Sequence, residues 1–511
     1  MANFESSQVD SDRRAEPAIM VIFGASGDLT KRKLIPSLFH LYCEGLLPTN
    51  FVIVGVARRD LTATFVQDMK AAILQYSAIA QSKQNEQTCD LDDFVSKIKY
   101  HTMSFTDVNG YVHLKNFLAE IDEQHGTLGN RLFYLSTAPE HFWDIVQELG
   151  NNGMMNETSE NGGNYSRIII EKPFGHDLQS ARELNEKVNR VFNEEQIFRI
   201  DHYLGKEKVQ NILVFRFANS IFESVWNRNY IDNIQITSAE DIGIEGRGPF
   251  YEKAGALRDV VQNHIMAVLA LVTMEPPISF DARAIRDEKL KLWRSILPID
   301  INKVVRGQYG GGYVHGIPVN SYREEERVAS DSSTETFVSL KMEIDNWRWA
   351  GVPIYVRVGK RLPKKVTNIV IQFKKPPTLL FGERSIENEL QPNLLIIRIQ
   401  PDEGISIRFG AKVPGPNTHV RPVEMDFSYA QAFEIGSTTG YERLLLDALL
   451  GDQTLFTHRN GIEVAWRLFT PILEYWSRHK PLNFPNYESG TWGPIEAFVL
   501  LAKDGREWVN F

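Results

Sequence analysis

The chain contains only two cysteines, Cys43 and Cys89, among its 511 residues. So few cysteines exclude a scaffold built from disulfides, and they are typical of a protein that works in a reducing compartment. We therefore expect two ordinary thiols. The alternative is a redox-sensitive disulfide, which would require the two cysteines to lie close together in the fold.

Long apolar segments are also missing. The longest runs, such as IMAVLALVTM, are about half as long as a membrane-spanning helix needs to be. The N-terminal stretch MANFESSQVDSDRRAEP carries several acids and lacks the apolar core of a signal peptide. We therefore expect a cytoplasmic protein that does not bind membranes.

The chain lacks an excess of positive charge. It has 56 lysines and arginines against 65 aspartates and glutamates, a formal net charge of -9. This balance argues against nucleic acid as the main partner. A small anionic ligand remains compatible with it, because a local basic cluster can bind an anion whatever the overall charge.

The order of predicted strands and helices divides the chain into two parts. From Ala18, short apolar runs such as AIMVIFG and FVIVGVARRD alternate with helical patterns such as DLTKRKLIPSLFHLYCEG. This alternation predicts an α/β fold in which a doubly wound, Rossmann-like parallel sheet has helices on both faces. Further along, long helical patterns precede successive strand-like segments with short turns, which predicts a large α+β domain with a mostly antiparallel sheet.

We accordingly predict three regions. Residues 1–16 form a disordered tail, residues 17–200 an NADP-binding domain, and residues 201–511 a domain for substrate binding and oligomerisation. In the third region, KVQNILVFRFANSIFESVW and GALRDVVQNHIMAVLALVTM are each expected to form a long helix. The polar stretch GNNGMMNETSENGGNYS is expected to be a mobile loop.

Two glycines follow the first predicted strand. In VIFGASGDLTKRKL, Gly24 and Gly27 lie between that strand and the first helix, where backbone N–H groups can approach a pyrophosphate at the helix N-terminus. The spacing is G-x-x-G rather than G-x-G-x-x-G, and no lysine follows the second glycine as it does in a Walker A loop. Alone, the pattern fits an ordinary tight turn equally well.

The end of the second predicted strand favours NADP over NAD. Enzymes that use NAD typically place Asp or Glu there to bind the ribose 2′-hydroxyl, but VGVARRD offers Arg58 and Arg59 before Asp60. A guanidinium pairs with a 2′-phosphate through charge-assisted hydrogen bonds, and Ser26 could donate to the same group. The alternative is that both arginines are solvated surface charges.

The stretch RIDHYLGKEKVQN places an acid, an imidazole and a phenol side by side. If this segment is extended, the side chains of Asp201 and His202 point to opposite faces, because successive residues of a strand alternate. Each would then require a partner from elsewhere in the chain. We therefore expect these neighbours to have different functions.

Six stretches of the sequence together carry a resemblance to a known family. They are GASGDLTKRKL at 24–34, EKPFG at 171–175, RIDHYLGKE at 199–207, EGRGPFYEKAGALRDVVQNH at 245–264, RVGKRLPKK at 357–365 and YERLLLDALLGD at 441–452. In their order, and above all in RIDHYLGKE, they resemble the glucose-6-phosphate dehydrogenase family. The matching stretches extend over almost the whole chain.

The resemblance implies an oxidoreductase that oxidises D-glucose 6-phosphate to 6-phospho-D-glucono-1,5-lactone. NADP⁺ would be the hydride acceptor, and the reaction would be the first step of the oxidative pentose phosphate pathway. A homodimer or homotetramer is implied, with no metal. The segments KVPGPN and KDGREWVNF resemble bacterial-type members, so we do not predict the second, structural NADP site that some animal members carry.

The resemblance also assigns roles to individual residues. His264 would be the general base and Asp201 the residue that orients it. The substrate would be bound by Lys172, His202, Tyr203, Lys206, Glu240, Asp259, Lys360 and Lys365. The coenzyme would be bound by Gly24, Ala25, Ser26, Gly27, Asp28, Leu29, Arg58, Tyr134 and Lys172.

The chemistry of a dehydrogenase fits the assignment of His264. Histidine suits a base because its pKa lies near neutral pH, and an aspartate on its other ring nitrogen fixes the tautomer. The alternative is a core histidine bonded to a backbone carbonyl. Asp259 lies five positions earlier, about 140° around an ordinary α-helix, so the two side chains need not touch. That separation suits a contact between Asp259 and a sugar hydroxyl.

The chemistry of a phosphate ester fits the RIDHYLGKE segment. A phosphate dianion requires several donors, and His202, Tyr203 and Lys206 supply an imidazole, a phenol and an ammonium. The alternative is a solvated turn before a helix. In EKPFG, Lys172 precedes a proline, so its backbone is expected to be extended and the bond to Pro173 can be cis.

Two other functions remain open at this stage. An oxidoreductase for an unphosphorylated sugar could carry an EKP strand end, but it would not need the cluster of His202, Tyr203 and Lys206. A catalytically silent NADP-binding sensor would keep the glycine loop and Arg58, but it could dispense with His264. An assay with phosphorylated and free sugar separates these possibilities.

Overall fold

The structure is a computed structural model, and some stretches lie outside the part of the chain that it describes. The predicted tail lies outside it at residues 1–13, whereas Ala15 is already buried. His202, Lys206 and residues 157–163 of the predicted mobile loop also lie outside it. The described residues are 14–81, 89–156, 164–201, 203–205, 207–376, 391–416, 420–433 and 440–510.

The first sheet is parallel. Its strands are β1 Ala18–Phe23, β2 Phe51–Ala57, β3 Ile98–Thr102, β4 Arg131–Leu135, β5 Ser166–Ile170 and β6 Ile197–Arg199. They pair in the order β3-β2-β1-β4-β5-β6, with every neighbouring pair parallel. This is the order of a doubly wound dinucleotide-binding sheet, so the predicted Rossmann-like fold is confirmed.

Apolar side chains on both faces of this sheet require helices on both sides. In β1, Met20 and Ile22 belong to one core cluster, whereas Ile19 and Val21 belong to another, because successive side chains of a strand alternate. A π-helical turn, Thr30–Leu34, leads from the glycine loop into the first helix. The helices of this part are α1 Ile35–Cys43, α2 Phe65–Tyr76, α3 Ala78–Gln81, α4 Leu91–Ser96, α5 Val108–His125, α6 Phe142–Asn151 and α7 Leu178–Asn189.

The second part of the chain contains a large mixed sheet and a small one. Its strands are β7 Ile231–Ala239, β8 Val304–Gly307, β9 Tyr309–Val314, β10 Ile317–Val319, β11 Phe337–Met342, β12 Ile354–Gly359, β13 Val366–Phe373, β14 Leu394–Gln400, β15 Gly404–Lys412, β16 Val420–Ser428 and β17 Tyr487–Ser489. The large sheet has the order β16-β15-β14-β13-β7-β12-β11-β8, and its neighbours are antiparallel except β7 and β12. The predicted, mostly antiparallel second sheet is therefore confirmed.

Helices pack on this sheet and connect it to the first. They are α8 Glu207–Phe217, α9 Ser220–Glu223, α10 Gly248–Ala256, α11 Met266–Thr273, α12 Ala282–Arg294, α13 Tyr429–Phe433, α14 Tyr441–Leu450, α15 Arg459–Arg478 and α16 Ile495–Ala502. Every residue of α11 is buried. Among the helices that the structure describes, none is both long enough and apolar enough to cross a membrane.

Both long helices predicted from the sequence are interrupted. The first breaks between α8 and α9, where the Asn219 side chain donates to the carbonyl of Phe215 and so competes with the helical backbone. In the second, α10 and α11 are separated by a π-helical segment, Leu257–Ile265. This π-helical segment carries both Asp259 and His264.

The expectation of two ordinary thiols is wrong. Cys43 at the end of α1 and Cys89 just before α4 form a disulfide, with Cα atoms 5.0 Å apart. Packing between the two helices brings them together: the rings of Tyr42 and Phe94 lie 5.4 Å apart, and the Tyr42 hydroxyl donates to Asp93. The two cysteines are 46 positions apart in the sequence, so only the tertiary fold reveals their proximity.

Candidate active site

Asp201 lies in a turn that follows β6. Its backbone carbonyl accepts from the N–H of Leu204 at 3.0 Å, and its Oδ1 accepts from the N–H of Tyr203 at 2.9 Å. An aspartate that binds the N–H two residues further on forms an Asx-turn, which ends extended structure. Extended structure therefore ends at Asp201, and the alternation of strand side chains does not apply to Tyr203 and Leu204.

The partner of Asp201 is His264. Nδ1 of His264 lies 2.5 Å from Oδ1 of Asp201, and both side chains are buried. When Nδ1–H donates to the carboxylate, Nε2 holds a lone pair and can accept a proton. The structure thus brings together the two residues to which the sequence resemblance assigned catalysis.

The relation between Asp259 and His264 differs from the one expected. A π-helix closes its hydrogen bonds between residues five apart, so residues i and i+5 lie nearly above one another. The separation of about 140°, which assumed an ordinary α-helix, is therefore wrong. Both side chains face Lys172 instead of pointing apart.

Lys172 joins the acid and the imidazole. It lies just after β5 and precedes Pro173 through a cis peptide bond. Its ammonium contacts the carbonyl of Asp259 at 3.0 Å, Oδ1 of Asp259 at 3.2 Å and Nε2 of His264 at 3.0 Å. These contacts match the three N–H donors of an ammonium group. Lys172 therefore lies at the nitrogen that would accept a substrate proton.

Burial and charge act in opposite directions on this cluster. Burial lowers the pKa of His264 below its ordinary value of 6.5, although the Asp201 carboxylate opposes the shift. Burial by itself would raise the pKa of Asp259, but the ammonium groups of Lys172 and Lys360 hold that pKa below its ordinary value. At neutral pH the imidazole is therefore uncharged and the Asp259 carboxylate is ionised.

The ring of Tyr203 stacks on the ring of His264. The ring centroids are 4.2 Å apart and the planes are inclined by 22°. Burial raises the pKa of the Tyr203 hydroxyl, while hydrogen bonds to Thr367 and Ser238 oppose the rise. Tyr203 therefore contacts the imidazole directly, in addition to any contact with a ligand.

Two further candidates lie at the carboxyl ends of neighbouring strands. Glu240 follows β7 and Lys360 follows β12, and the side chains form an ion pair. The two strands are parallel, so their ends meet at the same edge of the sheet. Lys365 is exposed. The predicted sites at His202 and Lys206 lie outside the described residues.

The glycine loop after β1 contains one position that excludes any side chain. Gly24 has φ of +83°, and a Cβ there would lie 2.2 Å from the carbonyl oxygen of Ser136. Only glycine fits such a turn. Ala25 is buried, Ser26, Gly27 and Leu29 are half-buried, and Asp28 is exposed in an ion pair with Arg32.

The arginines after β2 are exposed, as a 2′-phosphate site requires. Arg58 and Arg59 follow the strand directly, and Tyr100 donates to the carbonyl of Arg59. Oδ1 of Asp60 accepts from the N–H and the hydroxyl of Thr62, at 3.1 and 2.8 Å. The Asp60 carboxylate is thus already hydrogen-bonded within its own turn.

Family models match nearly the whole chain. The NAD binding domain of glucose-6-phosphate dehydrogenase matches residues 21–211, and its C-terminal domain matches residues 213–509. The chain belongs to the glucose-6-phosphate dehydrogenase family. The resemblance found in the sequence motifs is therefore confirmed.

Individual members of the glucose-6-phosphate dehydrogenase family match end to end. A glucose-6-phosphate 1-dehydrogenase of Chlamydia pneumoniae is 50% identical over 508 residues, covering 98% of this chain and 97% of the relative. One of Bacillus subtilis is 46% identical over 498 residues, covering 96% and 98%. A solved glucose-6-phosphate dehydrogenase in complex with its substrate glucose-6-phosphate has a TM-score of 0.87 and 37% identity, covering 98% of this chain and 99% of that one.

Tyr134, one of the residues predicted to bind the coenzyme, lies away from the surface. Tyr134 on β4 is fully buried, and its hydroxyl donates to Glu171 at 2.5 Å. The Tyr441 hydroxyl donates to the same oxygen at 3.2 Å. The structure thus directs the Tyr134 hydroxyl to a buried carboxylate beside Lys172.

Two residues that the sequence did not single out hold the π-helical segment. Oδ1 of Asn263 accepts from the N–H of His264 at 2.5 Å. The buried carboxylate of Glu335 accepts from the N–H of Leu257, at the start of the π-helical segment. A charged residue two positions before β11, in TETFVSL, was the available signal for Glu335. Asn263 had no such signal.

Proposed function

We propose that this member of the glucose-6-phosphate dehydrogenase family oxidises D-glucose 6-phosphate at C1 to 6-phospho-D-glucono-1,5-lactone, with NADP⁺ as the oxidant. The observation that carries the proposal is the contact of His264 with Asp201 on one ring nitrogen and with Lys172 on the other. A buried, neutral imidazole whose Nε2 carries the lone pair is the group that removal of a hydroxyl proton requires.

In the proposed mechanism His264 is the general base. Nε2 takes the proton of the C1 hydroxyl as the C1–H bond breaks and the carbonyl of the lactone forms. The nicotinamide, when bound, accepts the hydride. Asp201 holds Nδ1–H and stabilises the imidazolium that forms. Lys172 lies beside the accepting nitrogen and can orient the C1 oxygen.

The surrounding charges are proposed to hold the sugar. The Asp259 carboxylate and the Glu240–Lys360 pair offer acceptors and donors for the hydroxyls. Tyr203, with His202 and Lys206 from the sequence pattern, is proposed to bind the phosphate, and Lys365 completes the substrate site. Binding energy from a remote phosphate can align C1 with the coenzyme.

The NADP preference is proposed to come from Arg58, with the loop residues Gly24 to Leu29 beneath the pyrophosphate. The exposed guanidinium and the engaged Asp60 support it. Arg58→Ala should reduce the ratio of kcat/KM for NADP⁺ to that for NAD⁺ by about tenfold or more, the loss of one charge-assisted contact. Arg59→Ala is the matched control. An unchanged ratio in Arg58→Ala would assign the 2′-phosphate to another residue.

We also propose a cytoplasmic homo-oligomer, a dimer or a tetramer. The edge strand β16 exposes Val423, Met425 and Phe427 on one face, and such an apolar edge favours association with a second copy. Sedimentation of the wild type and of Met425→Lys tests the assembly, with a lighter species expected for the variant. Cell fractionation tests the location.

A coenzyme-reduction assay tests the proposed activity. The purified protein should reduce NADP⁺ with glucose 6-phosphate far faster than with glucose at equal concentration. Equal rates with both sugars would favour an oxidoreductase for unphosphorylated sugars. No rate with either sugar, from protein that binds NADP⁺, would favour a binding sensor.

A further inference from the structure

A cavity lies behind Asp201 and His264, between α12 and the N-terminal end of α15. It has a volume of about 440 Å³, within the range of pockets that bind metabolites. Arg283, Arg286 and Lys289 line it from α12, and His458 and Asn460 line it from the start of α15. We call it the α12–α15 cavity. None of these residues takes part in the proposed reaction.

Lys289 is the unusual residue of this cavity. Its side chain is only 4% exposed, and its ammonium reaches the carbonyl of Thr454 through one long contact of 3.4 Å. Within the described residues, no carboxylate forms an ion pair with it. Burying a cation without a counterion costs folding free energy, so such a residue indicates a missing anionic partner.

Arg286 adds a second cation on the same face of α12, one turn away. Its Nη1 donates to Oε1 of Gln453 at 2.6 Å, while its buried Nε has no acceptor. The amide of Gln453 is fixed by its own donations to the carbonyls of Glu194 and Ile197. Within the described residues, the hydrogen-bond acceptors of Lys289 and Arg286 in this cavity are therefore neutral.

Helix α15 contributes positive potential from the opposite wall. It is 20 residues long, and its first residues line the cavity. Nδ1 of the N-cap His458 accepts from the N–H of Asn460. The start of a helix carries a partial positive charge that favours anions.

The carboxylates at the cavity do not compensate these charges. Glu195 and Asp287 also line it, but both are exposed to solvent. Glu194, close by, already pairs with Arg199 and accepts from the N–H of Arg459. The Asp201 carboxylate acts on Lys289 through its charge, but it already pairs with His264, and the two cations Lys289 and Arg286 outnumber it at the buried end of the cavity.

We propose that the α12–α15 cavity binds a small dianion of the phosphate class, either inorganic phosphate or the phosphate group of a small metabolite. The Lys289 ammonium and the Nε–H of Arg286 would donate to its oxygens. A narrower cavity lined by Asp201, Lys172 and Trp293 separates the site from the catalytic cluster, and Trp293 lines both cavities. The ligand would thus lie behind Asp201.

Calorimetric titration with inorganic phosphate tests the site. The full-length protein is first saturated with glucose 6-phosphate, without coenzyme, so that the substrate site is filled and no turnover occurs. Wild type should then bind one further phosphate per chain, and Lys289→Met should weaken that binding at least tenfold. Lys291→Met is the matched control, because Lys291 lies on the same helix with an exposed side chain.

A second titration, with glycerol 3-phosphate, distinguishes the two sources of the dianion. The tighter of the two probes identifies the ligand as free phosphate or as a phosphate monoester, provided that Lys289→Met weakens it. Should Lys289→Met fail to fold, Arg286→Gln takes its place. The proposal is overturned if saturated wild type binds neither probe, or if Lys289→Met and Arg286→Gln both bind as tightly as wild type.

Discussion

Nδ1 of His264 lies 2.5 Å from Oδ1 of Asp201, a buried contact between residues 63 positions apart. It fixes which ring nitrogen can act as a base. In Asp201→Asn the amide can also donate to Nδ1, which would select the wrong tautomer. We expect kcat to fall by about 10²–10⁴-fold, the usual contribution of a positioned base, with little change in KM for glucose 6-phosphate. Steady-state kinetics check this, and a kcat within a few-fold of wild type would remove Asp201 from the mechanism.

The acid limb of the pH profile should report the imidazole. Burial lowers the pKa of His264 below 6.5, so the base stays neutral under mildly acidic conditions and activity is lost as pH falls through that lowered pKa. The acid midpoint of kcat/KM should therefore lie below pH 6.5. Because the Asp201 charge raises this pKa, Asp201→Asn should move the midpoint still lower. A shift to higher pH would contradict the assignment.

Tyr203 has two proposed roles: its ring positions the imidazole of His264 by stacking on it, and its hydroxyl binds the substrate phosphate. Two variants separate these roles. Tyr203→Phe keeps the ring and removes the hydroxyl, so it should raise KM for glucose 6-phosphate and leave kcat within a few-fold. Tyr203→Leu also removes the stack, and kcat should fall by about tenfold or more, because small misplacements of catalytic groups are costly. Equal kcat values for the two variants would mean that the stack does not position the imidazole.

Glu335 should stabilise the π-helical segment that carries Asp259 and His264, although it is not among the residues predicted to bind a ligand. Its carboxylate accepts from the N–H of Leu257, and it packs so tightly on Gly255, where φ is +64°, that a Cβ there would lie 2.2 Å from it. Glu335→Ala leaves a buried N–H without its acceptor, which costs about 1–3 kcal/mol. Thermal melting should detect the loss, and kcat should fall with it. Glu335→Gln retains an acceptor and is the control; equal melting of both variants would contradict this role.

Local patterns in the sequence were sufficient for the fold class. Buried strands alternating with helices predicted the parallel sheet, because apolar residues on both faces of a strand demand two layers of helices. The successive strands after residue 330, joined by short turns, predicted the second, mostly antiparallel sheet. Motif resemblance supplied the pairing of Asp201 with His264, which no local pattern contains.

What the sequence could not supply depends on backbone geometry and on distance. No composition rule distinguishes the π-helical segment around Asp259 from an α-helix. The predicted angle between Asp259 and His264 around the helix axis was therefore wrong. The turn at Asp201 depends on a side-chain bond to the N–H of Tyr203. The Cys43–Cys89 disulfide depends on packing of α1 against α4, which only the tertiary structure specifies.

The most direct test of the central claim is the kcat of His264→Asn with saturating glucose 6-phosphate and NADP⁺. The claim is that Nε2 of His264 removes the C1 hydroxyl proton. The account predicts a fall of about 10²–10⁴-fold with KM nearly unchanged, because a base acts in the transition state and contributes little to ground-state binding. Near-normal turnover by a folded variant that binds both substrates would contradict it.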